Sequence, residues 1–245
     1  MSISIPPLPG TAFDPLYPDS DGEPMGETEC HVIAIFDLYH ALRRHFRSRQ
    51  DVHVAADMFL YYEQGNPLAC KAPDVMVSKG VRGKHQRRSF RVWEEHAVPA
   101  VVFEVTSLKS RREDEIHKPL AYAKAGIAEY FVFDPLDEYA SPRLQGFRLG
   151  PQGYEALSRD GDGRLTSQEL GLSFQAEEGL LRAFDVRTGA ILPSLDELDE
   201  QAISERVRAD SERLRADAER RRADAEGRRA AALEEELKRL RGQLP

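Results

Sequence analysis

The sequence is poor in cysteine. Its two cysteines, Cys30 and Cys70, lie far apart, and neither belongs to a CxxC pair. Two isolated cysteines exclude a disulfide scaffold and a zinc cage built on four cysteines. We expect both to be buried thiols, in a fold that is held together by an apolar core.

The sequence also lacks long hydrophobic runs. No stretch approaches the roughly 20 apolar residues that a membrane-spanning helix needs. The first ten residues, MSISIPPLPG, do not place a basic region before an apolar one, as a signal peptide would. These absences predict a cytoplasmic protein without a membrane partner.

An excess of positive charge is missing as well. The 245 residues include 34 Lys and Arg against 42 Asp and Glu, and the formal net charge is -8. This balance argues against a surface that coats nucleic acid nonspecifically, but it allows a local basic patch. Hydrophobic residues make up 41% of the chain, which is enough for a real core.

Composition divides the chain into three segments. Residues 1–24 are rich in Pro, Gly and Asp and predict an irregular N-terminal arm. Residues 25–193 contain the apolar stretches of one globular domain. Residues 194–245 consist largely of Glu, Arg, Ala and Asp and predict a long charged helix. Its apolar positions are interrupted in the middle, so it permits a weak coiled coil and a homo-oligomer without predicting a strong zipper.

Hydrophobic spacing predicts a mixture of helices and strands in the domain. A first helix is expected over residues 27–46, and Ile33 and Phe36 are among the apolar residues assigned to its buried face. Short strand-like segments follow, and the strands resume after a second helix. The pattern predicts an α/β (α+β) fold, with an antiparallel or mixed sheet flanked by helices.

The second helix is expected over residues 111–125, with Gly126 as its left-handed cap. Pro119 is unfavourable inside that span, because proline removes a backbone donor and clashes with the preceding turn. A helix that begins near Lys118 places Pro119 in the first turn, which tolerates proline.

Two acidic residues stand at the margins of predicted strands. Asp74 follows Pro73 and precedes an apolar run, and Glu104 ends the run from 98 to 103. Each could be an ordinary strand-end residue. As a pair on neighbouring strands, however, the two carboxylates predict a site for Mg²⁺ or Mn²⁺, which prefer oxygen ligands.

With these residues the sequence resembles the Uma-type family of proposed restriction endonucleases, within the PD-(D/E)XK nuclease superfamily. The likeness covers roughly residues 17–192. It rests on Pro73-Asp74, Glu104-Val105-Thr106-Ser107, Arg111-Arg112-Glu113-Asp114, Lys118, Tyr122, Gly126-Ile127 and the run from Glu129 to Pro135. The resemblance implies a restriction-endonuclease-like mixed sheet, with Asp74 and Glu104 as metal ligands.

The resemblance also implies a lysine that stabilises charge at the phosphate. Thr106 stands where the superfamily's E-x-K motif has its lysine, so this chain departs from the motif. In the resembling family the lysine lies on the following helix, and we assign this role to Lys118 rather than to Lys109. The alternative is that Lys118 is a solvent-facing residue of an amphipathic helix.

Related nucleases often place a further acid on the first helix. Glu29 is the candidate carried forward here, with Glu27 as an equal alternative and His31 as a weaker one. The structural explanation is also adequate, because Thr28 predicts an N-cap and acids in a first helical turn complement the helix dipole.

Two further patterns have simpler explanations. A basic stretch contains Lys79, Arg82, Lys84, His85, Arg87, Arg88 and Arg91. A solvated loop is its default interpretation, although beside a metal site it could follow a phosphate backbone. The run Asp160-Gly161-Asp162-Gly163 resembles part of a calcium loop but lacks the first ligand and both flanking helices, so we interpret it as a hairpin loop.

Together these residues predict a Mg²⁺-dependent endonuclease that acts on nucleic acid, with DNA favoured. In this hypothesis Asp74 and Glu104 bind the metal, Lys118 stabilises charge and Glu29 helps to orient the attacking water. The alternative is a catalytically silent module that keeps the nuclease fold and recruits a partner through its C-terminal helix.

Overall fold

The computed structural model of the chain describes residues 8–11, 13–20, 22, 27–107 and 117–241. The chain divides into two compact units, with the boundary between Leu195 and Asp196. In the described part of residues 1–24 no helix or strand is present, and the irregular arm as a whole stays a prediction. Lys109 and the run 111–114 lie outside the described residues.

Helices and strands alternate irregularly along the chain. The helices are α1 (Glu29–His45), α2 (Val92–Glu95), α3 (Lys118–Ala125) and α4 (Leu195–Arg241). The strands are β1 (Val52–Ala56), β2 (Leu60–Tyr61), β3 (Cys70–Lys71), β4 (Val75–Lys79), β5 (Phe90–Arg91), β6 (Pro99–Val105), β7 (Glu129–Phe133), β8 (Leu144–Gly150), β9 (Gly153–Ala156), β10 (Leu165–Ser167), β11 (Leu172–Glu177) and β12 (Leu180–Asp185).

The main sheet has six strands in the order β1-β4-β6-β7-β8-β9. Strands β6 and β7 are parallel, and every other neighbouring pair in this sheet is antiparallel. A parallel pair needs a crossover connection, and α3 lies within the chain that joins β6 to β7. The predicted mixed sheet is therefore confirmed. Two smaller sheets have the orders β10-β11-β12 and β3-β2-β5.

Strand alternation places two apolar cores on opposite faces of the main sheet. Side chains at odd positions of β4 and β6, such as Val75 and Phe103, pack in one core with α1 and the β10-β11-β12 sheet. Side chains at even positions, such as Met76 and Val102, pack in the other core with Tyr122 of α3. Because successive side chains point to opposite faces, residues 74 and 104 belong to the α3 face.

Helix α1 begins as its sequence predicts. The Thr28 hydroxyl accepts a hydrogen bond from the His31 backbone N–H at 3.4 Å, and basic residues complete the last turn. The helix prediction is confirmed, but the predicted buried face is wrong at two positions. Ile33 and Phe36 are 50% and 52% exposed, because the helix packs through the face that carries Leu38 and Leu42.

Helix α3 begins at Lys118, and Pro119 occupies its first turn. Proline is tolerated there because a first-turn N–H has no partner within the helix. Gly126 ends the helix with φ 82°, a left-handed conformation that favours glycine. Residues 111–116, which the longer expected helix would include, lie outside the described residues.

A buried ion pair connects α2 to the segment before β5. Arg87 Nε and Nη2 donate to Glu95 Oε1 and Oε2 at 2.6 and 3.0 Å, and both side chains have 0% exposure. The same guanidinium also donates to the carbonyls of His85 and Gly83. Charges removed from water in this way depend on their partners.

A second buried carboxylate, Glu129 of β7, connects the main sheet to β10. Glu129 Oε1 accepts from Arg148 Nη2 at 2.9 Å and from the Gln168 N–H at 3.0 Å, and Oε2 accepts from the Ser167 hydroxyl. Its side chain is completely buried. Glu129 therefore has a clear structural role in joining two sheets.

The second unit is formed by the charged helix α4, which confirms the predicted C-terminal helix. Side chains 199–239 are all exposed, and they include Ile203, Val207 and Leu214. Self-association of the chain stays a prediction. Among the described helices, α4 included, none is long and apolar enough to cross a membrane.

The two cysteines form no disulfide in the described structure. Their predicted burial is wrong. Cys30 is exposed in the first turn of α1, and Cys70 on β3 is half-buried. Cys30 is exposed because it lies outside the face through which α1 packs.

Candidate functional site

Asp74 and Glu104 lie side by side on two paired strands. The register pairs Val75 with Phe103, and one further step along these antiparallel strands sets Asp74 opposite Glu104. Directly opposite residues have Cβ atoms about 4.5–5.5 Å apart and point to the same face. The structure thus brings together the two carboxylates that the sequence suggested.

The Asp74 carboxylate is held by the backbone of β6. Its Oδ2 accepts a hydrogen bond from the Val105 N–H at 2.6 Å, and its side chain is 14% exposed. Glu104, in contrast, is completely buried at the end of its strand. One carboxylate therefore faces solvent at the rim of the site, and the other forms its floor.

Helix α3 supplies two groups that bind Glu104. Lys118 Nζ lies 2.7 Å from Glu104 Oε2, and the Tyr122 hydroxyl donates to Glu104 Oε1 at 2.5 Å. The Lys118 side chain is 13% exposed, so its ammonium lies between the buried acid and solvent. Lys118 therefore contacts the buried acid, unlike the solvent-facing lysine of the alternative interpretation.

Tyr122 is a residue of the site that the sequence interpretation gave no role. Burial, followed by the nearby Glu104 charge, raises the pKa of Tyr122 well above its ordinary value. The hydroxyl therefore stays protonated and can donate to the carboxylate throughout the physiological pH range. The i,i+4 spacing of Lys118 and Tyr122 was the available signal, since such residues share one helix face.

We expect Tyr122→Phe to lower metal affinity, or any metal-dependent activity, by about 10- to 100-fold. The reason is that the phenyl ring keeps its place in the core but no longer donates to Glu104 Oε1. Calorimetric titration with Mn²⁺ measures the affinity. Tyr154→Phe is the matched control, because it removes another tyrosine hydroxyl, which donates to the Ile127 carbonyl at 2.7 Å away from the site. Equal affinities of the Tyr122→Phe and wild-type proteins would contradict a positioning role.

The first helix approaches the site through His31. His31 is buried, its Nε2 donates to the Val105 carbonyl, and the same nitrogen lies 3.8 Å from Asp74 Oδ2. Its Nδ1 lies 3.3 Å from Glu27 Oε2. Glu29 is exposed and, among the described residues, forms no hydrogen bond or ion pair with Asp74 or Glu104. Of the three first-helix candidates, the structure brings His31, and Glu27 through it, to Asp74.

Thr106 occupies the position of the absent motif lysine. It is 2% exposed, and its Oγ1 is buried with no hydrogen-bond partner among the described residues. A threonine side chain carries no charge and cannot neutralise Glu104. The cation of the site comes from Lys118, on the following helix.

The donor set suits a small divalent cation. Two carboxylates on one face of paired strands are oxygen ligands, and Mg²⁺ typically binds one or two carboxylates and completes its octahedron with water and phosphate. Within the described part of the chain, no cluster of three or more His, Cys, Asp or Glu side chains is arranged to hold a metal. Asp74 and Glu104 could supply two oxygen ligands, and a metal there would take its remaining ligands from solvent and substrate.

Most of the basic stretch between 79 and 91 is engaged within the protein. Lys79 pairs with Glu169, Arg87 with Glu95, Arg88 with Asp19, and Arg91 with Asp14 and Glu94. Lys84 Nζ donates to the carbonyls of Phe46 and Arg47 at the end of α1. Most charges of this stretch therefore have partners within the protein, and contact of the loop with a phosphate backbone stays a prediction.

The calcium-like run forms a tight turn. Asp160 Oδ1 accepts from the backbone N–H groups of Asp162 and Arg164 at 3.0 and 2.8 Å. Arg159 and Leu165 form an antiparallel bridge across the turn. The interpretation of this run as a hairpin loop is confirmed.

One comparison with known proteins identifies a family. Residues 17–183 match the family model "Uma2: Putative restriction endonuclease". A crystal structure from Anabaena variabilis ATCC 29413, described as a putative nuclease belonging to DUF820, is similar with a TM-score of 0.45 and 14% sequence identity. The likeness covers 62% of this chain and 80% of that chain. Among curated proteins no match is found.

Proposed function

Because this chain belongs to the Uma2 family of "Putative restriction endonuclease" proteins, we propose that it is a metal-dependent endonuclease that hydrolyses DNA phosphodiester bonds. The observation that carries the proposal is the meeting of three side chains. Asp74 and Glu104 lie opposite each other, and Lys118 Nζ lies 2.7 Å from Glu104. An acid pair with an adjacent cation is suited to phosphoryl chemistry.

Asp74 and Glu104 would hold Mg²⁺ or Mn²⁺. Such an ion, when bound, supplies Lewis-acid stabilisation of the phosphate and lowers the pKa of a water molecule. The protein keeps both ligands in place. The Val105 N–H orients the Asp74 carboxylate, and the Tyr122 hydroxyl orients the Glu104 carboxylate.

Lys118 would stabilise negative charge on the phosphate. Its ammonium, bonded to a buried carboxylate and near the surface, would lie beside a phosphate held by a metal ion at Asp74 and Glu104. Fixed positive groups aimed at developing charge are often the largest electrostatic contribution to catalysis. His31, which contacts the Val105 carbonyl and lies near Asp74, would help to position the solvent side of the site.

We expect Lys118→Met to reduce DNA cleavage by about 100- to 1,000-fold, the usual cost of removing one group that stabilises the transition state. Methionine keeps the length and the apolar stem of the side chain. The readout is conversion of supercoiled plasmid in the presence of Mg²⁺. Lys124→Met is the control, since Lys124 lies on the same helix and pairs with the exposed Glu63. Wild-type cleavage by the Lys118→Met protein would remove Lys118 from the mechanism.

A catalytically silent nuclease fold is the second candidate. The observation in its favour is that a lysine ammonium already pairs with Glu104, so this buried carboxylate has a counter-ion without a metal. A titration with Mn²⁺ separates the two candidates. Heat that requires both Asp74 and Glu104 supports the nuclease, and its absence supports the silent module.

A further inference from the structure

A groove of about 710 Å³ runs between α1 and β1, the edge strand of the main sheet. Its α1 side includes Phe36, Tyr39, Arg43 and Arg47, and its floor is formed by β1. We call it the α1–β1 groove. None of the proposed metal or phosphate ligands lines it.

The described charged residues that line this groove are all positive. No Asp or Glu is among the described residues that line it, although the chain as a whole is acidic. Arg43 is exposed on α1, Arg47 is exposed in the turn after it, and Lys84 adds a third positive charge, whereas the charge of Arg87 is balanced by Glu95. A concave surface lined by one sign of charge concentrates counter-ions, and here it favours anions.

The positive charges around the groove also affect the pKa of His53, which lies in its floor. Burial is the main cause that lowers the pKa of His53 to about 4, and the positive charges of Arg87, His85 and Arg43 lower it further. The imidazole is therefore neutral at physiological pH. The groove is polar enough to bind phosphate, and its positive charge comes from arginine and lysine.

An exposed aromatic ring borders the basic groups. Phe36 is 52% exposed on α1, where core packing does not explain it. Tyr39 lies one turn further along, with the Arg43 guanidinium 5.7 Å from its ring centroid. Proteins that bind single-stranded nucleic acid combine these two features, because a basic groove follows the phosphates and aromatic rings stack on the bases.

One end of the groove lies beside the backbone segment that carries Asp74. Ala56, which lines the groove, pairs with Val75, the neighbour of Asp74. The Asp57 N–H donates to the Asp74 carbonyl at 3.2 Å. On the other wall, the stretch of α1 from His31 to Arg43 spans about 18 Å at 1.5 Å per residue. A nucleic-acid strand that runs from the carboxylates along α1 would contact Phe36 first and Arg43 next.

We propose that the α1–β1 groove binds a single-stranded segment of the nucleic acid substrate next to the Asp74–Glu104 site. The phosphates contact Arg43 and Arg47, and a base stacks on Phe36. The groove has the volume of a site for one small ligand, which suits unpaired nucleotides better than a duplex. The substrate class is then nucleic acid with an unpaired stretch beside the cleaved bond. This inference rests on the proposed function.

The test is a binding measurement that does not require cleavage. Fluorescence anisotropy in EDTA compares a labelled DNA strand, an RNA strand of the same sequence and the blunt DNA duplex. The variants are Arg43→Ala with Arg47→Ala, and Phe36→Ala. Arg49→Ala is the matched control, because Arg49 is an exposed arginine close in sequence that pairs with Asp51 and does not line the groove.

We expect the single strands to bind more tightly than the duplex. The double arginine variant should lower the slope of log affinity against log salt by about 1.4, which is two phosphate contacts at about 0.7 each. Phe36→Ala should weaken single-strand binding by about 5- to 150-fold through lost stacking. Arg49→Ala should bind as the wild type does. A preference between the DNA and RNA strands identifies the substrate's sugar.

Two outcomes would overturn the inference. If the double arginine variant keeps the wild-type affinity and salt slope, the groove does not bind phosphates. If the duplex binds as tightly as the single strands, the assignment to unpaired nucleic acid is wrong. Failure of the proposed nuclease function is seen separately, as absence of Mg²⁺-dependent cleavage by a protein that still binds in EDTA.

Discussion

Glu104→Gln should lose more than about 100-fold of metal-dependent cleavage, because even residues that only orient a metal ligand contribute about 10- to 100-fold. Glutamine keeps the size of the side chain, and its single oxygen can accept from one of the two donors, Lys118 or Tyr122, that bind the two oxygens of Glu104 in the native protein. What it loses is the negative charge that attracts a divalent cation. Plasmid cleavage with Mg²⁺ and calorimetry with Mn²⁺ measure the two consequences.

Asp74→Asn should have an effect of the same order. The asparagine oxygen can still accept from the Val105 N–H, which Asp74 Oδ2 binds at 2.6 Å, so the strand contact survives the change. Loss of activity would then reflect the charge rather than the fold. A metal site shared by both carboxylates also predicts that the double variant is little worse than either single one, because effects within one site are not additive.

The control for Glu104→Gln is Glu129→Gln. Glu129 is also a completely buried glutamate of the main sheet and also binds a cation, Arg148, but it joins β7 to β10. Both variants should lose stability, and only the Glu104 variant should lose cleavage. Cleavage by a purified Glu104→Gln protein, or equal losses in the two variants, would refute the metal site.

The largest effect on stability is expected from Glu95→Ala. It leaves the Arg87 guanidinium, which has 0% exposure, without its carboxylate partner. Breaking a buried ion pair from one side typically lowers the free energy of unfolding by about 3–5 kcal/mol. For a domain of this size that corresponds to a fall in Tm of roughly 6–20 °C. Thermal denaturation followed by circular dichroism measures it.

A second variant tests the physical reason. Arg87→Met combined with Glu95→Leu removes both charges, so no buried ion is left without a partner. Well-packed apolar replacements of buried pairs are often neutral, and we expect the double variant to be more stable than Glu95→Ala. Glu63→Ala should leave Tm unchanged, since its pair with Lys124 is exposed. A double variant less stable than Glu95→Ala would show that the ion pair itself stabilises the fold.

Much of the fold could be predicted from local patterns. The start of α1 at Glu29 follows from a Thr28 cap and an acid in the first turn, and β7 follows from an apolar run between turn signals. The start of α3 followed from the restriction that Pro119 places on a helix. These features depend on residues that are close together in the sequence, so the sequence alone is enough to predict them.

Other features depended on partners that are distant in sequence. Nothing local distinguishes Phe36, which is exposed, from Leu38, which is buried. The cations of the basic stretch could not be assigned either. The partners of Arg88 and Lys79 are Asp19 and Glu169, 69 and 90 residues away. Only the folded chain brings such charges together.

The sequence by itself determined the strand-and-helix order, the charged C-terminal helix, and a short set of residues able to bind a metal. It did so because propensity, capping and alternation act within a few residues. The tertiary structure alone decided that Asp74 stands opposite Glu104, that Lys118 and Tyr122 contact the buried acid, and that a groove whose described lining holds no Asp or Glu lies between α1 and β1. Those facts arise from strand register and packing, which depend on contacts between segments that are far apart along the chain.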